Sequence, residues 1–337
     1  MPHTAFLDDP RYPALSHFLA QMLPETHTQP ILVSSDASGR RYWRTRLKSG
    51  ETRIIMDAPP PGEDVLPFID VQQRLARIGI PVPTLHAQDT TQGFLLLEDL
   101  GDETLFQWRH GQSPQRVTEK LQTAVALLPT LAEGDTEGLP EFDAERLGRE
   151  MDLLPEWYIQ HHCQHALSPA EQAQWNQIRD RICARLITMP QVFVHRDYHS
   201  RNLMVQPDRL TVIDFQDAVR GPLAYDLVSL LRDSYIDWPA DVILAMQALY
   251  WEHVPTALGH GQSLDEFRAD FAWVAVQRHL KVLGIFARLS FRDGKHGYLH
   301  DLPLTWRHLH CALALIPELE DLAALLAPFA PIAPAST

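Results

Sequence analysis

The sequence predicts an α+β protein with two lobes: a small antiparallel β-sheet lobe in residues 1–100 and a larger, mostly helical lobe in residues 101–337. Short apolar runs separated by turn residues dominate the first hundred positions, whereas apolar residues recur at helical spacing along most of the rest. A length of 337 residues also exceeds what one hydrophobic core usually serves, which favours a division into two parts.

The first lobe is predicted to contain one β-hairpin, further strands and two helices. The pattern of residues 11–24 is typical of an amphipathic helix. Strands are predicted at Ile31–Val33, Arg41–Leu47 and Arg53–Met56, with a Lys-Ser-Gly turn between the last two. A helix over residues 64–78 ends before Gly79 and Pro81, and "GFLLLEDLG" predicts a buried strand that runs into an acidic turn.

The second lobe is predicted to be helical apart from one β-rich stretch. Helices are expected over residues 114–133, 143–163, 168–187, 223–234, 238–252, 264–290 and 301–327. The exception is 192–217, where short strands are expected at Val192–Val194, Leu203–Val205 and Leu210–Ile213. We expect a nucleotide site in the cleft between the two lobes.

Composition excludes some classes of partner. A formal charge of −14 disfavours nucleic acids and anionic membranes, and no apolar run approaches membrane-spanning length. Three cysteines at unpaired spacing are typical of a reducing compartment, and the N-terminal residues do not resemble a signal peptide. We therefore expect a cytoplasmic protein, and nothing in the sequence implies an obligatory protein partner.

The stretch "VHRDYHSRNLMV", residues 194–205, carries the strongest chemical signal. Asp197 and Asn202 flank a short loop, and a predicted hairpin then leads to Asp214 in "VIDFQD", so the three side chains can converge. Two carboxylates and an amide oxygen are hard ligands that suit Mg²⁺. This set predicts phosphoryl transfer, with Asp197 as the acceptor of a substrate proton and Asn202 and Asp214 as metal ligands.

The pattern His-x-Asp-x4-Asn followed by Ile-Asp resembles the catalytic and metal-binding segments of the protein-kinase-like fold. A protein kinase would place a long activation segment after Asp214, but here Asp226 follows after only twelve residues. The segment "GPLAYDL" resembles the aminoglycoside/choline phosphotransferase family instead. That resemblance implies ATP and Mg²⁺ as cofactors, a structural role for His195, and an Asp226 that ties its segment to the catalytic loop.

Four further segments resemble the bacterial cell-wall amino-sugar kinases: "DASGRRYWR", "MDAPPPGED", "LLRDSYIDWP" and "QRHLKVLGIFARL". The resemblance implies a small-molecule substrate, with phosphorylation of the anomeric hydroxyl of N-acetylmuramate and N-acetylglucosamine in peptidoglycan recycling. Two alternatives remain open from the residues. One is an aminoglycoside or other alcohol phosphotransferase, and the other is a nucleotide-binding pseudokinase, which Mg²⁺-dependent ATP consumption would exclude.

The nucleotide-binding side departs from the usual kinase pattern. The loop "SSDASGRR" has one glycine, and the expected strand lysine and helix glutamate fall on Met56 and near Phe68. Because the lysine and the glutamate are both missing, neither is left as a buried charge without its partner. The candidate replacements that would hold the triphosphate are Arg40, Arg41 and Arg44, which could equally be ordinary exposed arginines. The backbone C=O of Leu97 and N–H of Asp99 are the expected contacts to adenine.

The sugar pocket is expected in the helical lobe. Residues 278–297 carry five basic side chains against one acid, which favours an anionic group such as the lactyl carboxylate of muramate over a polycationic aminoglycoside. Arg278 is the first candidate for that carboxylate, although the segment could also be a solvated helix face. Further candidates for sugar contacts are Arg232, Asp233 and Tyr235.

Overall fold

The computed structural model describes residues 9–23, 28–35 and 39–331. The chain forms two compact units: one comprises residues up to Glu103 together with Met204–Asp217, and the other Thr104–Leu203 together with residues from Ala218 onward. The sequence assigned all of residues 101–337 to the helical lobe. The structure differs because Met204–Asp217 packs with the first unit.

The first unit is built on a five-stranded antiparallel sheet with the strand order β1-β2-β3-β5-β4. The strands are β1 (Ile31–Ser35), β2 (Arg41–Arg46), β3 (Thr52–Asp57), β4 (Leu85–Asp89) and β5 (Phe94–Glu98). The helices are α1 (Tyr12–Met22) and α2 (Leu66–Arg77). Apolar side chains of α1 pack on Trp43, Ile55, Phe94 and Leu96 of the sheet, which makes one core.

One strand of this sheet was not predicted. β4 lies at the edge of the sheet, and its side chains alternate between half-buried and exposed, so its sequence "LHAQD" contains no continuous apolar run. The other four strands lie within a few residues of the positions that the sequence predicts. The single-glycine loop is described only in part, because residues 36–38 lie outside the described residues.

A short hairpin completes the first unit and carries Asp214. It consists of β7 (Leu203–Val205) and β8 (Leu210–Val212). The Val212 N–H donates to the Pro81 carbonyl at 2.8 Å, and the Phe215 ring lies 4.8 Å from the ring of Phe68 on α2. These contacts fix the segment on both sides of Asp214.

The second unit is mainly helical. Its α-helices are α3 (Leu105–Trp108), α4 (Pro114–Ala132), α5 (Ala144–Met151), α6 (Pro169–Leu186), α7 (Tyr225–Leu231), α8 (Ala240–His253), α9 (Leu264–Phe291), α10 (Leu302–Leu313) and α11 (Glu320–Leu326). The helix expected over residues 143–163 is divided into α5 and a π-helix, Leu154–His162, with Pro155 in its first turn. The helix expected over residues 301–327 is likewise divided into α10 and α11, with Pro317 between them.

Two features of this unit position the catalytic loop. β6 (Gln191–Val194) pairs antiparallel with β9 (Val219–Pro222), and the loop begins directly after β6. β9 was not predicted, because "VRGP" has a glycine and a proline that do not favour a strand. α9 is 28 residues long and mostly buried, and it brings basic side chains to the loop.

None of the helices that the structure describes is both long and apolar enough to cross a membrane.

Candidate active site

The catalytic loop, residues 195–202, is held by a buried carboxylate. Asp226, on α7, is 5% exposed and accepts the backbone N–H groups of His195 at 2.7 Å and Arg196 at 3.0 Å. Burial raises the pKa of Asp226 to about 6. His195 is fully buried, and its Nδ1 accepts the Asp197 N–H at 3.3 Å. Both residues therefore make the backbone contacts that suit the structural roles proposed for them.

Arg196 adopts an unusual backbone conformation that the surrounding structure maintains. Its φ is +77°, a left-handed region that disfavours side chains with a Cβ atom. Its guanidinium forms an ion pair with Glu150, which also accepts from the Gln277 amide at 3.2 Å and lies 3.5 Å from Lys281 Nζ. This buried network holds the loop in the turn that presents Asp197.

Asp197 is partly exposed and kept ionised. Its side chain is 39% exposed, and Oδ1 lies 3.4 Å from Nη1 of Arg278, which also donates to the Arg196 carbonyl at 2.7 Å. Burial raises the pKa of Asp197, but the positive charges of Lys281 and Arg278 outweigh it and hold the pKa well below its usual range. At neutral pH the carboxylate can therefore accept a proton or a hydrogen bond from a substrate hydroxyl.

Lys281 gives a test of this electrostatic arrangement. Lys281→Met removes the largest of the charges that lower the pKa of Asp197, while Glu150 keeps its bonds to Arg196 and Gln277. We expect the acid limb of the kcat profile to move to higher pH, because the pKa of Asp197 rises when this positive charge is lost. The control is Lys120→Met on α4, since the Lys120 ammonium lies over the Trp108 ring, 5.4 Å from its centroid, and not among the groups described around Asp197. An unchanged acid limb in Lys281→Met would contradict the arrangement.

Asn202 and Asp214 both have defined surroundings. Asn202 ends a 3₁₀ turn, Ser200–Asn202, and its Nδ2 donates to the Asp197 carbonyl at 2.9 Å, which orients the amide. Asp214 has a φ of +65°, and its Oδ1 accepts from the Gln216 amide at 2.9 Å and lies 3.9 Å from Nη2 of Arg40. The amide and the carboxylate are the oxygen donors that Mg²⁺ prefers. The two residues belong to different units, so their convergence on one metal ion stays a prediction.

The chain is similar to known proteins over most of its length. Residues 31–260 match the family described as the phosphotransferase enzyme family. The chain belongs to the phosphotransferase enzyme family. It is 40% identical to an N-acetylmuramate/N-acetylglucosamine kinase of Pseudomonas aeruginosa, over 95% of this chain and 97% of that protein. A protein of the same name from Neisseria meningitidis serogroup B is 39% identical, over 93% of this chain and 94% of that protein.

Solved structures support the fold of this phosphotransferase. A spectinomycin phosphotransferase in complex with ADP and spectinomycin aligns with a TM-score of 0.64 and 11% identity, over 90% of this chain and 98% of that one. An ADP-bound aminoglycoside phosphotransferase aligns with a TM-score of 0.59 and 14% identity, over 87% of this chain and 96% of that one. At such identity the likeness concerns the fold alone. The predicted bilobal kinase-like fold and the resemblance to amino-sugar kinases are both confirmed.

The three candidate arginines of this phosphotransferase have different surroundings. Arg41 forms ion pairs with Asp9 and Asp57, and Asp57 is fully buried. Arg44 is held by Asp99 at 2.6 Å and by Asp102 at 2.8 Å. These pairs commit Arg41 and Arg44 to acidic partners, which is a reason to prefer structural roles for them.

Arg40 also has two acidic neighbours, and its proposed contact with the phosphates stays a prediction. It lies 3.9 Å from both Glu63 and Asp214, so its charge stands next to the candidate metal ligand. Leu97 lies in β5 and pairs with Ile54 of β3, and the contacts proposed for its carbonyl and for the Asp99 N–H stay predictions. The Asp99 carboxylate itself is occupied by Arg44.

Two candidates for substrate binding are held inside the protein instead. Asp233 is 1% exposed, and its two oxygens accept the N–H groups of Ser200 and Tyr235, both at 3.0 Å. These two bonds are a reason to prefer a structural role for Asp233 over the sugar contact predicted for it. Arg278 is 5% exposed and bound to Arg196 and Asp197, which is a reason to prefer a positioning role over the substrate contact predicted for it.

Two other candidates are partly accessible. Arg232 directly follows the last residue of α7, and burial lowers the pKa of its guanidinium. Its role in sugar binding stays a prediction. Tyr235 is half-buried, and its ring centroid lies 3.6 Å from the guanidinium carbon of Arg201. Arg201 was not predicted as a site residue, although it stands inside the catalytic motif directly before Asn202.

Proposed function

We propose that the protein is an ATP- and Mg²⁺-dependent kinase that phosphorylates the anomeric hydroxyl of N-acetylmuramate and N-acetylglucosamine. The observation that carries the proposal is the carboxylate of Asp197, 3.4 Å from Arg278 on a loop that Asp226 fixes. The choice of substrate rests on the relatives at 37–40% identity that are named N-acetylmuramate/N-acetylglucosamine kinase. A requirement for ATP fits the cytoplasmic location expected from the sequence.

Each part of the site has a proposed role in the transfer. Asp197 accepts the proton of the anomeric hydroxyl as the sugar oxygen forms a bond to the γ-phosphorus of ATP, and the bond to the β–γ bridging oxygen breaks. Asn202 and Asp214 would hold Mg²⁺, which supplies positive charge to the phosphates. Arg40 would add a further positive charge near Asp214. Sugar 1-phosphate and ADP are the products.

The two alternatives carry less support. The aminoglycoside phosphotransferases among the solved structures are only 11–15% identical to this chain, so they support the fold and not the substrate. A pseudokinase would have no use for an ionised Asp197 held in place by buried charges. Both alternatives remain distinguishable by experiment.

A substrate panel tests the proposal. With ATP and Mg²⁺ we expect both amino sugars to give products in which ³¹P NMR detects coupling between phosphorus and the anomeric proton. Methyl glycosides of the same sugars are the matched controls, because they lack only the free anomeric hydroxyl, and they should not react. Phosphorylation of kanamycin but of neither sugar would favour an aminoglycoside as the substrate. An absence of ATP consumption with every acceptor would favour the pseudokinase.

A further inference from the structure

A cavity of about 400 Å³ in the second unit is lined by Arg201 of the catalytic loop and by residues of the segment that follows α9. The lining residues are Arg201, Lys295, Gly297, Tyr298 and Asp301. The last four lie in or next to a 3₁₀ turn, His296–Asp301. Since Arg201 stands between Asp197 and Asn202 in sequence, a ligand in this cavity would contact the catalytic loop itself.

Arg201 forms no salt bridge within the described part of the chain, although its positive charge acts on Asp301 in the same cavity lining. Its guanidinium carbon lies 3.6 Å from the ring centroid of Tyr235 and 4.7 Å from that of Phe106. Its Nε is buried and makes no hydrogen bond to any described residue. Stacking on two rings fixes the guanidinium plane, and the two Nη groups of a fixed guanidinium are suited to bind a carboxylate through two parallel hydrogen bonds.

Lys295 adds a second positive charge to the same cavity. Its side chain is exposed, and within the described ranges it forms no ion pair with a carboxylate. Asp301 is the acid of the lining, so two cations face one carboxyl group. Tyr298 and Asp301 can also hydrogen-bond to hydroxyl groups. The lining therefore combines an excess of positive charge with groups that bind a polyol.

We propose that Arg201 and Lys295 bind the lactyl carboxylate of N-acetylmuramate in this cavity. The inference rests on the proposed function, and it assigns the recognition of the acid to a place other than Arg278. N-acetylglucosamine has no carboxylate, so it would leave the two cations to solvent. The cavity would therefore discriminate between the two sugars without taking part in the chemistry common to both.

The test is the ratio of kcat/KM for N-acetylmuramate to kcat/KM for N-acetylglucosamine. We expect Lys295→Met and Arg201→Gln each to lower this ratio by about ten- to a hundredfold, mainly through KM for N-acetylmuramate. Lys295 is exposed, so its variant folds even if Arg201→Gln disturbs the stacked rings. The matched control is Arg292→Met: Arg292 is basic and close in sequence, pairs with Asp293, and is absent from the cavity lining. It should leave the ratio unchanged.

The outcomes separate this inference from the proposed function. An unchanged ratio in Lys295→Met, with wild-type activity on both sugars, would overturn the inference alone. An equal fall in Lys295→Met and Arg292→Met would also overturn it, because a general effect of charge would then explain the result. A wild-type protein that phosphorylates neither sugar would overturn the proposed function first.

Discussion

Asp197→Asn is expected to lower kcat by about a hundredfold to ten-thousandfold, with nucleotide binding largely retained. The substitution keeps the size of the side chain and removes its ability to accept the hydroxyl proton, which typically contributes this factor in enzymes. It also removes the charge that faces Arg278, 3.4 Å away. Single-turnover measurements of sugar phosphorylation, combined with calorimetric titration of ATP in Mg²⁺, separate the loss of chemistry from a loss of binding.

The control for this variant is Asp208→Asn. Asp208 is exposed in the turn of the β7–β8 hairpin, outside the residues assigned to the site, so near-wild-type activity is expected. Thermal unfolding of both variants checks that the fold is intact. A folded Asp197→Asn protein with near-normal kcat would remove Asp197 from the catalytic role.

The sequence predicted the parts of this site that depend on short spacing. Asp197 and Asn202 lie in one loop, and the chemistry proposed for the motif needs both residues at that separation, so a short pattern is enough to predict their roles. Asp226 could be predicted because the segment that contains it resembles the family. Its bonds to the His195 and Arg196 N–H groups give that resemblance a physical reason.

Other features depend on contacts between residues far apart in the chain. Arg278 and Asp197 are separated by 81 positions, and Gln277 and Glu150 by 127, so no local pattern identifies either pair. In the sequence, the basic residues of 278–297 predict a single charged face. In the structure Lys281 is buried beside Glu150, whereas Arg292 is exposed, because the segment leaves a buried helix for solvent.

The nucleotide-binding arginines illustrate the same limit. In sequence, Arg40, Arg41 and Arg44 form one basic cluster beside a loop. In the folded sheet, Arg41 pairs with Asp9 and Asp57, whereas Arg44 pairs with Asp99. Adjacent residues of a strand point to opposite faces, so closeness in sequence does not place their charges together. Only the position of their acidic partners distinguishes their roles.

Arg278→Met is expected to lower kcat on both sugars by a similar factor, about a hundredfold. Methionine fills much of the buried space but cannot donate to the Arg196 carbonyl or to Asp197. The carboxylate then loses the contact that orients it, and a misplacement of about 1 Å costs about this factor. The lost bond to the Arg196 carbonyl should also lower the free energy of unfolding by about 1.5–3 kcal/mol, the range for hydrogen bonds to charged groups.

The comparison of substrates decides between two roles for Arg278. A positioning residue affects the step common to both sugars, so the ratio of their kcat/KM values should stay within about twofold of wild type. Arg278→Lys provides the matched conservative variant: it keeps the charge near Asp197 and should recover part of kcat on both sugars, because one ammonium group can reach only some of the acceptors. A loss confined to N-acetylmuramate would instead indicate that Arg278 binds the lactyl carboxylate. It would also mean that the arginine leaves Asp197 when the substrate binds.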